Sequence, residues 1–169
     1  MRKEYLEELN EALNTKHLSA VLPGDATINY SNNGYAEQGL AETLLKNRKN
    51  DAKKGYTSSG PHRADIGFYY QGVKVEKDLS RGQTKLFAAA LISSQLEKAK
   101  AKGGTPIMLV DDLSAELDQK ASEKMLRLLL ANKTQTFVTS IAPPNKTKQK
   151  NDNMAVFHVE RGNIKKMLK

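Results

Sequence analysis

The first apolar stripe of the chain runs Tyr5, Leu9 and Leu13, with Leu6 beside it, and this four-residue spacing predicts a helix over residues 3–14. Pro23-Gly24-Asp25 marks a turn, and Thr27-Ile28-Asn29-Tyr30 reads as a short strand punctuated by Ser31-Asn32-Asn33-Gly34. Leu40, Leu44 and Leu45 announce a second helix that runs into the lysine-rich stretch 46–54. From Asp65 to Val75 apolar and polar positions alternate about Gln71-Gly72, the pattern of a β-hairpin. A long helix from about Thr84 to Lys102 follows, buried through Leu86, Phe87, Ala90 and Leu91 and ended by Gly103-Gly104. Ile107-Met108-Leu109-Val110 is an uninterrupted apolar run, which predicts a strand covered on both faces. A helix at 119–131 carries Met125, Leu126, Leu128, Leu129 and Leu130. Thr136–Thr139 is then a second buried strand, Pro143-Pro144 opens a Lys/Asn-rich loop, and Met154–Val159 returns as a strand.

From residue 84 onward this order is an α/β pattern with at least two parallel strands. The helix-rich first part, residues 1–58, is expected to form a separate lobe ahead of a unit at 59–169. Composition agrees with a folded, soluble chain of about one domain's length. It has 169 residues, 38% of them hydrophobic and 27% charged, which argues against wholesale disorder. No apolar run reaches membrane-span length, and the N-terminus Met1-Arg2-Lys3-Glu4-Tyr5 has no apolar signal core. The absence of cysteine excludes disulfide scaffolds, Cys-type zinc sites and thiol catalysis. An intracellular setting is therefore expected. The balance of 27 basic to 19 acidic residues leaves +8, which suits anionic partners and equally suits simple solubility.

Three short segments carry candidate chemistry. The strand Ile107–Val110 ends in Asp111-Asp112, two carboxylates at the edge where α/β sheets bind ligands. One could hold a hydrated Mg²⁺ and the other polarise a water; solvated loop acids are the plainer reading. Leu79-Ser80-Arg81-Gly82-Gln83 puts a hydroxyl and backbone N–H groups at the positive end of a helix, where Ser80 could also be an ordinary N-cap. Ser114-Ala115-Glu116-Leu117-Asp118 follows the acid pair directly, with Asp118 placed to cap the next helix. His17 and His158 read as surface or strand residues. Tyr69-Tyr70 reads as hairpin core, although such a pair could stack bases. His62 and Arg63 divide evenly between a turn and a role near nucleotide or DNA.

The order and spacing of these segments resemble the ABC-type ATPase core, in its chromosome-maintenance and recombination branch, and most closely the RecF family. Gly60-Pro61-His62-Arg63-Ala64-Asp65 is similar to that family's G-P-H-R-x-D segment, and residues 107–118 resemble its Walker B and D-loop. The motifs span about residues 55–142, while 1–54 matches the family's middle helical lobe only weakly. The resemblance implies the C-terminal part of an ABC-type ATPase head. Ser80, Arg81, Gly82 and Gln83 would be signature residues directed at the γ-phosphate of an ATP on the opposite subunit. Arg81 stands where most ABC signatures have glycine. Asp111 would organise Mg²⁺, and Asp112 would position the attacking water in the place of the usual glutamate. Asp118 would be the D-loop aspartate, and Ser140 stands where many relatives have a switch histidine.

The chain contains no G-x-x-x-x-G-K-[ST]; Gly103-Gly104-Thr105 lacks the lysine and the spacing. It is therefore expected to be the C-terminal half of such an ATPase and inactive alone. For the whole protein the resemblance implies ATP and Mg²⁺ as cofactors and an ATP-dependent homodimer. It also implies cytoplasmic action in DNA replication, recombination and the SOS response at gapped DNA, with RecO and RecR as partners in loading RecA. Two other expectations stay open: a non-catalytic adaptor binding DNA or proteins, and another SMC- or OLD-like ATPase half whose P-loop lies on a partner chain.

Overall fold

Two asparagines spaced one helical turn apart settle how the chain begins. The structure is a computed structural model that describes residues 2–32, 35, 39–141 and 154–168. Helix α1, Arg2–Ala12, runs into a π-helical turn at Leu13–His17, and strand β1, Ala26–Ser31, lies alongside. Asn10 Oδ1 accepts from the N–H of Ile28 (3.0 Å) and Asn14 Oδ1 from that of Ala26 (2.7 Å). Asn14 also donates to the Ala26 carbonyl (2.9 Å). The side chains of α1 and its π-helical continuation thus occupy main-chain groups that an edge strand leaves open. On the same helix Leu6, Leu9 and Leu13 are buried as the stripe predicts, while Tyr5 stays at the surface.

Strand β1 pairs antiparallel with β2, Asp65–Tyr70, which turns back into the two-residue β3, Val73–Lys74. Gln71 and Gly72 both have positive φ, 48° and 80°. That is the turn geometry whose twist matches a two-residue hairpin, so the predicted turn lies where the alternation put it. Tyr70 is buried and its hydroxyl donates to the Pro23 carbonyl, so this tyrosine is hairpin core. Helix α2, Leu40–Lys54, lies between β1 and β2 in sequence.

After the short α3, Val75–Asp78, helix α4 runs Arg81–Ala101, three residues earlier than the apolar pattern alone suggests. The earlier start comes from a capping box: Gln83 N–H donates to Ser80 Oγ (3.3 Å) and Ser80 N–H to Gln83 Oε1 (3.0 Å). Phe87 of α4 meets Phe68 of β2 edge-on with centroids 6.2 Å apart, which joins the antiparallel sheet to the helix. Ala89, Ala90, Ser93 and Ser94 are buried farther along. Ser94 donates to the Ala90 carbonyl (2.9 Å) and Ser93 accepts from Asn132 (2.9 Å), so the small polar groups enter the core paired.

Strand β4, Ile107–Val110, helix α5, Gln119–Ala131, and strand β5, Gln135–Val138, complete the α/β unit, with β4 and β5 parallel. Met108 and Val110 join Phe87, Met125, Leu126 and Leu129 in one core, together with Leu13, Leu18, Val21 and Leu22. The β1–β2 pairing and this shared core both cross the 58/59 division expected above. No helix among the described residues is long and apolar enough to cross a membrane.

Two expectations need correction, and the last expected strand gains a partner. The run Ile107–Val110 is covered on one face only: Met108 and Val110 are buried, but Ile107 and Leu109 are exposed, as is Phe137 on β5. An apolar run cannot distinguish a covered face from one whose covering element lies elsewhere. The C-terminal strand is one arm of a hairpin, with β6 at Val156–Glu160 and β7 at Asn163–Leu168. Arg161 and Gly162 take the same pair of positive φ values as the first hairpin, 48° and 79°. His17, read as a surface residue, is 3% exposed. Pro143-Pro144 and the Lys/Asn-rich loop after it lie outside the described residues.

His17 Nε2 shares a hydrogen bond of 2.7 Å with Glu97 Oε2, and Lys16 reaches the other carboxylate oxygen at 2.7 Å. Bonding to Lys16 does most to hold the Glu97 carboxyl below its ordinary value of 4.5; burial opposes it, and bonding to His17 adds a smaller lowering. A depressed folded value means that the stabilisation is complete above the ordinary glutamate range and disappears as pH falls through the folded value. The carboxylate is 44% exposed, so solvent screening limits the effect to about 0.2–1 kcal/mol. Glu97→Gln keeps an acceptor for His17 and removes the titration. Thermal unfolding from about pH 7 to about pH 3 should show wild type more stable at neutral pH and the two proteins converging in acid. A constant difference across that range would exclude Glu97 as its source.

Candidate functional site

The carboxyl ends of β4 and β5 converge on one hydroxyl. Thr139, the residue after β5, donates through Oγ1 to Asp111 Oδ1 (2.6 Å) and accepts at the same oxygen from the Asp112 N–H (2.8 Å). Its own N–H donates to the Val110 carbonyl and its carbonyl accepts from Leu113, both at 2.9 Å. The parallel pairing therefore continues past the strands, and it fixes the two acids relative to each other. Asp111 is exposed and Asp112 half-buried. Asp112 has φ 48°, a left-handed conformation that Asp tolerates better than most residues.

Residues 112–118 then fold back against the start of α4. Lys85 donates to the carbonyls of Asp112 (2.5 Å) and Ala115 (3.2 Å). Arg81 Nη1 lies 3.3 Å from Glu116 Oε1. A Cβ built on Gly82 would stand 2.8 Å from the Glu116 carbonyl oxygen, closer than a methyl and an oxygen can approach. Glycine at 82 is thus the condition for this packing. The first turn of α4 and the segment after the acids form one packed unit, although 27 residues separate Lys85 from Asp112.

All eight sequence-derived candidates lie in or beside this unit. Ser80 caps α4 and Gln83 completes its box. Gly82 makes the close approach, and Arg81 pairs with Glu116. Asp118 caps α5, accepting from the Ala121 N–H at 2.7 Å. Ser140 Oγ lies 3.1 Å from Ser114 Oγ, whose hydroxyl in turn reaches Asp112 Oδ1 at 3.5 Å. The structure adds Thr139 and Lys85. Neither has a local sequence signal, since each acts on residues 27 or more positions away.

His62 and Arg63 are occupied by their own turn. His62 Nε2 lies 3.1 Å from the Thr57 carbonyl oxygen, and the Arg63 guanidinium lies over the Tyr56 ring at 5.3 Å. The neighbouring carboxylate of Asp51, buried in α2, accepts from the N–H (3.1 Å) and hydroxyl (2.6 Å) of Ser58.

No group of three His, Cys, Asp or Glu side chains positioned to hold a metal occurs among the described residues. That donor set does not make an all-protein metal cage. It does fit Mg²⁺, which characteristically takes one or two carboxylates and completes its shell with waters and substrate phosphates.

Residues 2–165 match the model of the RecF/RecN/SMC N terminal domain family. A DNA replication and repair protein RecF from Vibrio atlanticus is 35% identical over 164 residues, covering 96% of this chain and 46% of the relative. The corresponding protein of Stenotrophomonas maltophilia is 40% identical over 126 residues, 74% of this chain and 34% of that one. Among solved structures, one of the recombination mediator RecF with ATP, described as belonging to the RecFOR pathway, superposes with a TM-score of 0.70 at 26% identity. That superposition covers 99% of this chain and 45% of the other. The chain thus spans less than half the length of these relatives.

The packing of α4 on residues 112–117 is open to a direct check. Lys85→Met, which leaves two carbonyls without a charged donor, should cost about 1–3 kcal/mol. Gly82→Ala should cost about as much, through overpacking. Both should speed hydrogen exchange in 112–117 more than in α2. Unchanged exchange in that segment would mean that Lys85 and Gly82 do not hold it.

Proposed function

The chain belongs to the RecF/RecN/SMC N-terminal domain family, and on that premise we propose that it is the signature and Walker B part of a RecF-like DNA-repair ATPase. The observation that carries the reading is the single packed unit formed by Ser80–Lys85 and Asp111–Asp118. In this reading two elements with separate tasks in nucleotide chemistry are held at a fixed distance within one chain.

The first turn of α4 carries N–H groups that have no partner within the helix, at the positive end of its dipole. Arg81 and Gly82 would present theirs to the γ-phosphate of a nucleotide bound mainly by another subunit, joined by the Ser80 hydroxyl, the Gln83 side-chain amide and the Arg81 guanidinium, while the Ser80 and Gln83 N–H groups stay in the capping box. Asp111 would hold Mg²⁺, which neutralises phosphate charge when bound. Thr139 keeps the Asp111 carboxylate oriented. Asp112 would orient and deprotonate the attacking water, its backbone fixed by Lys85 on one side and Thr139 on the other. Asp118 would sit at the subunit contact, and Ser140 would take the switch position with a hydroxyl in place of an imidazole.

For the whole protein this arrangement supports an ATP-dependent homodimer that clamps gapped DNA in the cytoplasm and assists RecO and RecR in loading RecA during recombinational repair and the SOS response. The excess of positive charge supports contact with DNA phosphates, an interaction that weakens steeply with salt. The boundary at 58/59, dividing a RecF-type middle lobe from the head, belongs to the same proposal.

Pure chain 1–169 should show no Mg²⁺-dependent ATP hydrolysis. Robust turnover would overturn the half-site reading. In a protein joining this chain to a P-loop half, Asp112→Asn should slow hydrolysis by about 100-fold or more while ATP-driven dimers persist. Loss of ATP binding and dimers together would remove Asp112 from its assigned role. Salt-dependent DNA binding that nucleotide never alters would favour the adaptor reading instead.

A further inference from the structure

The parallel register of β4 and β5 pairs Val110 with Val138. Carried one and two residues further, it sets Thr139 against Asp111 and Ser140 against Asp112. Thr139 bonds Asp111 directly. Ser140 Oγ stands 3.1 Å from Ser114 Oγ, and that hydroxyl lies 3.5 Å from Asp112 Oδ1. Two consecutive residues after one strand thus address the two consecutive acids after the other, the second of them through a bridge.

The direction of the bridge follows from its acidic end. An ionised carboxylate only accepts, whereas a serine hydroxyl both donates and accepts. Ser114 therefore donates to Asp112, and its oxygen is left to accept from Ser140. Each hydroxyl polarises the next, so the chain holds better than its separate bonds. What it holds is otherwise loose. Lys85 and Thr139 grip the carbonyl and the N–H of Asp112, which leaves the side chain to rotate about its own bonds. Among the described residues Ser114 is the one hydrogen-bond partner of that carboxylate. At 3.5 Å the contact is at the long end of the range. Catalytic hydrogen bonds are often long before substrate arrives and tighten when the site is loaded.

We propose that Ser114 is a positioning residue for Asp112, and that the Ser140–Ser114 chain decides which carboxylate oxygen faces the attacking water. With Oδ1 engaged, Oδ2 is the oxygen presented. A carboxylate free to turn would face the water only part of the time, and small misplacements of a reacting group are costly. Ser140 thereby acts on the water-orienting acid by way of Ser114. The inference rests on the nucleotide-site reading above, which supplies the water.

Two measurements separate the positioning from that reading. In chain 1–169 alone, the Hα–Hβ couplings of Asp112 in NMR spectra report whether its side chain keeps one staggered rotamer. Wild type should keep one. Ser114→Ala should average it and Ser114→Thr should restore it, while Asp111, held by Thr139, stays unaffected in both. Hydrogen exchange in 112–117 should match wild type, because Lys85 and Gly82 hold that main chain. In a protein joining this chain to a P-loop half, Ser114→Ala should lower kcat roughly ten- to a hundredfold with KM for ATP unchanged. Added to Asp112→Ala, it should cost nothing further. The positioning is overturned by free rotation of Asp112 in wild type, by a rotamer that Ser114→Ala leaves fixed, or by a further loss on adding Ser114→Ala to Asp112→Ala. A rotamer lost without any fall in kcat would leave the hydroxyl chain standing and overturn the place of Asp112 in the nucleotide-site reading.

Discussion

How near the first turn of α4 can come to the Glu116 carbonyl decides the arrangement of everything around the acid pair. At 82 there is room for a hydrogen atom and nothing larger. Given that room, Lys85 reaches across to two carbonyls and Arg81 meets Glu116. The caps at Ser80 and Asp118 then fix where the two flanking helices begin. A side chain at 82 would disturb the loop carrying Asp112 before it touched any ligand. The residues with the strongest functional reading are thus also holding the local fold. The plain interpretation of Ser80 and Asp118 as caps and the chemical one are compatible, because a capping oxygen and the free N–H groups beside it use different atoms.

Much of this was legible in the sequence because local signals agree with the tertiary outcome. The hairpin at Gln71-Gly72, the helix over 119–131 and the two parallel strands follow from periodicity and turn chemistry, and the candidates at 80–83 and 111–118 do come together. What escaped notice has physical causes. Thr139 and Lys85 act over long sequence separations. His17 lies four residues beyond Leu13 and so continues the buried face of α1, but a polar residue at that position conceals the stripe unless its partner Glu97, eighty residues away, is known. Only the first arm of the last hairpin was read, because Lys165 and Lys166 interrupt the alternation of β7. The open face of β4 could not be read at all, since composition records what is apolar and not what covers it.

The net charge also reads differently once individual lysines are placed. Lys98 pairs with Glu8, and Lys16 with Glu97. Lys100 donates to the carbonyls of Asn132 (2.7 Å) and Lys133 (3.0 Å) at the end of α5, where a cation suits the negative end of the helix. Lys85 is committed to the loop after the acids. Several basic residues are therefore structural, including two of the Lys98-Lys100-Lys102 cluster. The ion pairs leave the +8 total unchanged, but these lysines are held in place by the fold, so the mobile positive charge that meets a polyanion comes from the others.

The two asparagines on α1 and its π-helical continuation have an effect beyond seating β1. A strand at the margin of a sheet ordinarily invites another strand to align with it, in a neighbouring copy or in a partly unfolded chain. Here the N–H groups of Ala26 and Ile28 are already engaged by side chains on a helix of the same chain. Along the first half of β1 the sheet is finished. In a crowded solution, strand exchange or fibre growth would find no purchase on that stretch, and a substitution as slight as Asn14→Leu would reopen it.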